Sequence, residues 1–271
     1  MHQVRQPAVA GAFYPGQAPV LTHDVRAMLA TARPPHDTAT LPPKAIIVPH
    51  AGYMYSGATA ALAYARLAGG RNTIRRVVLL GPVHRVPVRG LALPGVDSFA
   101  TPLGVIDVDQ AAIAALARLP QVVVSPAAHA HEHSLEVQLP FLQQVLADFK
   151  LVPLAVGDAT PAEVAQVLNL LWGGAETLIV ISSDLSHFLS YDEAQAMDQD
   201  TVLHILNLSD TLTHQQACGG TPINGLLLAA QQHGLQAHLL GACNSGDTAG
   251  DKRRVVGYAS FAFTPGAPNA E

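Results

Sequence analysis

The sequence predicts an α/β fold in which a central, mostly parallel sheet carries helices on both faces. Short runs rich in Val, Ile and Leu alternate along the chain with Ala/Leu-rich stretches of helical length, an order typical of strand–helix–strand units. Hydrophobic residues make up 49% of the 271 residues and aromatic residues only 5%. A core built from aliphatic side chains suits strands that are buried on both faces.

Seven apolar runs are predicted to be strands, because each is rich in β-branched or aliphatic residues and most are short. In chain order they are 44–48, 75–80, 121–124, 151–156, 177–182, 236–240 and 254–263. The stretches predicted to be helices are 57–68, 109–119, 134–149, 161–172 and 192–208. Pro161 after Thr160 marks one helix start, because proline is favoured in the first helical turn.

The whole chain, 1–271, is predicted to form one domain. The Pro/Thr-rich connector at 31–43 is too short to separate two domains, and the sequence has no internal repeat. Residues 264–271 (TPGAPNAE) are predicted to be a disordered tail.

Composition excludes several classes of function. The net charge is −5, and no stretch longer than three residues consists of Lys and Arg, so a nucleic-acid partner is not expected. Two cysteines do not form a disulfide framework. The first residues lack a signal-peptide pattern, and the apolar runs are shorter than the roughly 20 residues of a membrane-spanning helix. We therefore expect a cytoplasmic protein without a membrane partner.

Polar groups able to bind metal follow four of the predicted strands. His50 follows the run at 44–48 and His84 the run at 75–80, while Asp184 and His187 follow 177–182 and Cys243 follows 236–240. Ligands of open parallel sheets bind outside the carboxyl ends of the strands. The sequence therefore predicts that these side chains share one pocket.

Two imidazoles and a thiolate suit a first-row transition metal such as iron, copper or zinc better than magnesium or calcium. We predict His50, His84 and Cys243 as the ligands. Asp184 either completes the ligand set or orients His187, and a free His187 could act as acid or base near neutral pH.

A second histidine-rich segment, 128–138, leads into a predicted helix. His133 and Glu136 are candidates for the pocket wall, as is Tyr53 beside the first strand end. Cys218 precedes another helix start, where a thiol is either reactive or simply buried; burial is the commoner outcome.

Six motifs resemble those of the Memo (mediator of cell motility) family, whose bacterial and archaeal members are called protein B of the AmmeMemoRadiSam system. They span most of the chain: 5–15 (RxPAVAGxFYP), 48–57 (VPHAGYxYSG), 80–84 (LGPxH), 132–136 (EHSLE), 182–187 (SSDLSH) and 257–258 (GY). This family is similar in fold to the class III extradiol dioxygenases, which are non-haem iron(II) enzymes. The resemblance implies a class III extradiol dioxygenase-like fold.

The resemblance also implies roles for individual residues. It makes His50 and His84 ligands of iron or copper, with zinc as a substitute, and puts Cys243 where the dioxygenases have a glutamate. It makes His187 the acid/base residue, with Asp184 beside it. Because a thiolate replaces the carboxylate, catechol cleavage is not expected. The partners that the resemblance implies are AMMECR-domain and radical SAM proteins of the same system and, from animal relatives, phosphotyrosine peptides.

Three functions remain open from the sequence. The first is a metal-dependent, dioxygenase-like oxidoreductase. The second is a module that binds a peptide or small molecule in the same pocket without turnover. The third is a hydrolase in which Cys243 is the nucleophile and His187 its base.

Overall fold

The computed structural model of the chain describes residues 2–32, 41–248 and 250–266. The strands in these ranges are β1 (Val4–Arg5), β2 (Ala45–Val48), β3 (Arg76–Pro82), β4 (Leu91–Leu93), β5 (Ser98–Thr101), β6 (Gly104–Asp107), β7 (Val122–Val124), β8 (Lys150–Val156), β9 (Thr177–Ser182), β10 (His187–Leu189), β11 (Leu235–Asn244) and β12 (Val255–Pro265). The helices are α1 (Ala18–Ala32), α2 (Tyr53–Tyr64), α3 (Gln110–Leu116), α4 (Pro126–Ala130), α5 (Leu139–Val145), α6 (Pro161–Leu171), α7 (Tyr191–Leu206), α8 (Gly220–Gln232) and α9 (Ser245–Thr248).

Four parallel strands form the middle of the main sheet. The strand order is β10-β12-β2-β9-β3-β8-β4-β7, and β11 also pairs with β12. Neighbours β2, β9, β3 and β8 are parallel, whereas β12 is antiparallel to both β2 and β11, and β4 is antiparallel to β8. The sheet is therefore parallel at its centre and mixed towards its edges. A smaller sheet has the order β1-β5-β6.

Helices cover both faces of the main sheet. Val77 and Leu79 of β3 pack with residues of α1, α2 and α5, whereas Val78 and Leu80 pack with residues of α6, α7 and α8. This division follows from the alternation of side chains along a strand. All four residues are fully buried, which explains why the strand is a continuous apolar run. No helix among the described residues is long and apolar enough to cross a membrane.

The predicted fold class is confirmed, and all seven predicted strands are present. Helix α6 begins at Pro161, where Thr160 and Glu163 form a reciprocal capping box. Five strands, β1, β4, β5, β6 and β10, were not predicted. They have two to four residues each, which is too short for the alternation of side chains to show. Helix α1 was also missed.

The start of the predicted tail differs from expectation. Strand β12 continues to Pro265 and pairs there with Leu235, so residues 264 and 265 are not part of a tail. Residues 267–271 of the predicted tail and 33–40 of the predicted connector lie outside the described residues.

A buried carboxylate anchors the N-terminal segment to the body of the fold. Glu136 is fully buried and accepts hydrogen bonds from the Arg5 guanidinium at 2.7 Å, the Tyr14 hydroxyl at 2.6 Å and the backbone N–H groups of Ala8 and Val9. The Arg5 side chain is only 6% exposed. Breaking such a pair leaves an uncompensated charge in the interior.

We therefore expect Glu136→Ala to lower the free energy of unfolding by about 3–5 kcal/mol. Urea denaturation followed by circular dichroism measures this change. Asp251→Ala is the control, because Asp251 pairs with Arg253 at the surface and should leave the midpoint unchanged. Equal midpoints for Glu136→Ala and the wild type would contradict the anchoring role.

Candidate metal centre

Three histidines converge at the carboxyl edge of the parallel strands. One ligand atom from each of His50, His84 and His133 lies within 4.8 Å of the other two. His50 follows β2 and His84 follows β3, while His133 lies in the segment between α4 and α5. The ring centroids are 4.6–5.3 Å apart. Three nitrogen donors at this spacing could coordinate one metal ion between them.

The hydrogen bonds of His50 fix its tautomer. Its Nδ1 lies 2.9 Å from the Ser182 hydroxyl, whose only proton is donated to the Ser134 carbonyl at 2.6 Å. His50 Nδ1 must therefore carry the proton and donate, which leaves a lone pair on Nε2. Burial, followed by the nearby His133, His84 and His187, holds the pKa of His50 well below its usual range. The ring is thus neutral, as a metal ligand must be.

His84 is oriented in the same way by a carboxylate. Its Nδ1 lies 2.9 Å from Oε1 of Glu132, and its backbone N–H donates to Oε2 at 2.6 Å. Burial raises the pKa of Glu132, but hydrogen bonds and the charge of His84 outweigh it and hold the pKa at about 2. An ionised carboxylate only accepts, so His84 donates from Nδ1, and in the neutral ring Nε2 carries the lone pair that can bind a metal.

The thiol of Cys218 lies beside His50. The Cys218 Sγ lies 3.3 Å from His50 Nε2. The backbone N–H of Cys218 donates to the Asp184 carbonyl, and that of Gly219 donates to the Ser183 hydroxyl. A Cβ at Gly219 would lie 2.7 Å from Ser183 Cβ, so only glycine permits this close approach. The start of α8 thereby carries Cys218 to the strand ends.

The structure places Cys243 apart from the histidine group. Strand-end reasoning assumed that Cys243 follows a strand, but it lies within β11, which continues to Asn244 and pairs Cys243 with Tyr258 of β12. The whole of β12 therefore separates β11 from β2. The Cys243 thiol contacts the Thr59 hydroxyl at 3.1 Å and is not in the histidine group found among the described residues.

Asp184 holds the backbone around His50. Its Oδ1 accepts a hydrogen bond from the His50 N–H at 2.7 Å, and its backbone carbonyl accepts from Cys218. Within the described ranges, its carboxylate has no hydrogen bond to His187. Burial raises the pKa of Asp184 to about 7. The carboxylate therefore positions the backbone of His50 rather than the His187 ring, and the Asp184 backbone carbonyl positions Cys218.

His187 lies beside the histidine group, on the short strand β10. Its Nδ1 donates to the Leu185 carbonyl at 2.9 Å, which leaves Nε2 unprotonated. Burial lowers its pKa. The next residue, Phe188, adopts a left-handed φ of 62°, a strained conformation for a bulky side chain. This turn shifts the register of the pairing between β10 and β12 between His187 and Leu189.

Comparison with known proteins identifies the family. Residues 5–262 match the family described as Memo-like protein. The chain belongs to the Memo family. Relatives described as MEMO1 family protein include those of Sulfolobus acidocaldarius (34% identical, covering 96% of this chain and 99% of the relative), Aquifex aeolicus (35%, 96% and 99%) and Methanosarcina mazei (36%, 96% and 98%).

One solved structure is also similar. The crystal structure of uncharacterized protein JW3007 from Escherichia coli K12 has a TM-score of 0.49 and 14% sequence identity, and the match covers 80% of this chain and 98% of that one. A likeness this weak has no bearing on function.

Three further residues of this Memo-family chain were predicted for the pocket wall, and they lie in different places. His133 lies in the histidine group, with its ring against Phe13 at a centroid distance of 4.7 Å. Glu136 instead anchors the N-terminal segment, and the Tyr53 hydroxyl donates to the Val137 carbonyl. Both side chains are buried, and their polar atoms bond to groups of the chain itself.

One member of the histidine group, His84, lines a cleft of about 550 Å³. Cys218, Arg85, His214 and Thr221 also line this cleft. His50 is only 1% exposed, so the cleft reaches the centre from the side of His84. A small molecule in this cleft would lie next to His84 and the Cys218 thiol.

The protonated Cys218 thiol leads to a prediction about proton release on metal binding. Burial raises the pKa of its thiol to about 12, so the thiol is protonated at pH 7 and a metal that binds it must displace that proton. We expect wild type to release about one proton more per metal than Cys218→Ala, and its affinity to rise as pH rises from 6.5 to 8. Zinc titration calorimetry in buffers of different ionisation enthalpy measures this.

Cys243→Ala is the matched control for this experiment and should release as many protons as the wild type. Equal proton release by Cys218→Ala and the wild type would show that the thiol does not bind the metal.

Proposed function

We propose that this chain is a metal-dependent oxidoreductase that holds one iron or copper ion on His50, His84, His133 and the Cys218 thiolate. The observation that supports it most is the convergence of three histidine nitrogens, two of the rings having Nδ1 fixed by hydrogen bonds. The Cys218 thiol lies 3.3 Å from Nε2 of one of them, His50. Imidazole and thiolate donors favour copper, iron or zinc over magnesium and calcium. When bound, iron or copper would supply one-electron chemistry.

His187 is the residue we propose for proton transfer. Its unprotonated Nε2 can accept a proton, and its Nδ1–H is held by the Leu185 carbonyl. A positive charge on the His187 ring lowers the pKa of His50, which requires the two rings to lie near each other. Because burial lowers the pKa of His187, the ring is neutral near pH 7 and ready to act as a base.

A cysteine hydrolase is the weaker alternative. In the hydrolase predicted from the sequence, the nucleophile is Cys243, which contacts Thr59 and lies on β11. The Cys218–His50 contact has the spacing of a nucleophile and its base. However, burial raises the pKa of Cys218 and lowers that of His50, the reverse of the shifts that activate a nucleophilic thiol. The pair therefore fits metal binding better than hydrolysis.

Metal uptake tests the proposal directly. Untagged protein, prepared without chelator, is loaded anaerobically with iron(II) or copper(I), and bound metal is measured by elemental analysis. We expect about one metal per chain for wild type and a loss of at least tenfold in affinity for His50→Ala, because His50 is a buried ligand. Wild-type protein that binds neither metal would overturn the proposal.

His187→Gln separates metal binding from chemistry. We expect it to bind metal as tightly as the wild type, and to consume oxygen about 10²–10⁴-fold more slowly in the presence of a reductant, the usual contribution of a general base. Unchanged oxygen consumption would remove His187 from the reaction. A metal-loaded wild type that consumes no oxygen would favour the alternative of a binding module without turnover.

A further inference from the structure

The Glu132 carboxylate accepts hydrogen bonds that orient His84 and His133, the two more exposed histidines of the candidate metal centre. Glu132 accepts from His84 Nδ1 at 2.9 Å and the His84 N–H at 2.6 Å, and from the N–H groups of His133 and Ser134 at 2.9 and 3.0 Å. Its Oε1 is also 3.3 Å from His133 Nδ1. Two of the three histidines are therefore held by the same side chain.

This carboxylate forms no ion pair with a Lys or Arg side chain among the described residues. It is 2% exposed, and its ion-pair partners there are the two imidazoles. The Arg5 guanidinium forms its ion pair with Glu136 and donates to the backbone carbonyl of Glu132. Burying an ionised carboxylate without a full positive charge nearby is costly.

Glu132 is also not a helix cap. Helix α4 ends at Ala130 and the following 3₁₀ turn begins at Glu136, so Glu132 lies in neither first turn. The buried carboxylate is stabilised by the N–H groups of His84, His133 and Ser134, and it also contacts Nδ1 of both imidazoles. A cation bound on the far side of the two imidazoles would compensate its charge further.

We infer that Glu132 positions His84 and His133 and supplies the negative charge that compensates a metal ion bound at their other nitrogens. This inference rests on the proposed function. Through His84 Nδ1–H, the carboxylate makes Nε2 a stronger donor, because a proton shared with an anion increases the electron density of the ring. Replacing the charge with a neutral amide of the same shape should weaken metal binding.

Glu132→Gln tests this inference. We expect its affinity for zinc to fall by about 10–100-fold, measured by competition with a chromophoric chelator, the usual effect of losing such a partner. The absorption spectrum of bound cobalt(II) should also change in shape, because the His84 and His133 rings are no longer held in place. Glu132→Asp keeps the charge and should lose less affinity than Glu132→Gln.

The matched control is Asp109→Asn. Asp109 is a buried carboxylate that caps α3 and pairs with Arg76. Arg76 begins β3, so this pair lies at the opposite end of the strand from His84. The substitution should lower stability and leave both zinc affinity and the cobalt spectrum unchanged. A structural effect alone would move the affinity of both variants equally.

The outcomes separate the two proposals. If wild type takes up no metal, the proposed function fails. If wild type binds zinc and folded Glu132→Gln binds it within twofold as tightly, only the inference about Glu132 fails. If Glu132→Gln does not fold, Glu132→Asp decides: an unchanged affinity and cobalt spectrum in that variant would overturn the positioning role.

Discussion

The Ser182 hydroxyl is the interaction on which the candidate centre depends. It accepts hydrogen bonds from His50 Nδ1 and Gln138 Nε2 and donates its own proton to the Ser134 carbonyl. All three partners are buried, and they come from the end of β2 and from the segment that carries His133. Because Ser182 is the last residue of the central strand β9, the sheet itself determines where these groups meet.

Parallel pairing explains why His50 and His84 could be predicted. Their strands, β2 and β3, lie on either side of β9 and end at the same edge, so any residue directly after them reaches that edge. The rule requires only the order of apolar runs along the chain. The fold class followed from the same alternation of strands and helices.

The cysteine could not be predicted in this way. Cys218 reaches the centre through tertiary contacts at the start of α8, where Gly219 packs against Ser183, and no periodicity of the sequence encodes that contact. Cys243 looked equivalent because the end of β11 was placed several residues too early. The glycines after Cys218 were the available signal, since a close backbone approach needs them.

The EHSLE motif divides two tasks between two buried carboxylates. Glu136 has a guanidinium partner, and it holds the N-terminal segment whose Phe13 lies against His133. Glu132 has imidazole partners only. The two carboxylates can therefore act differently. The charge of Glu136 is compensated by a guanidinium within the fold. The charge of Glu132 lies beside two imidazoles, whose other nitrogens are proposed to bind the metal.

The proposed ligands can be buried together because their side chains are uncharged. Burial disfavours charge on His50, His133 and Cys218 alike, and the protonated thiol has the His50 Nε2 lone pair as its acceptor. No buried donor or acceptor of this pair lacks a partner. A cation arriving through the cleft on the His84 side would exchange the thiol proton for its own charge, next to the one carboxylate that is already ionised. The donors are thus arranged before binding, and the charge is supplied only when binding occurs.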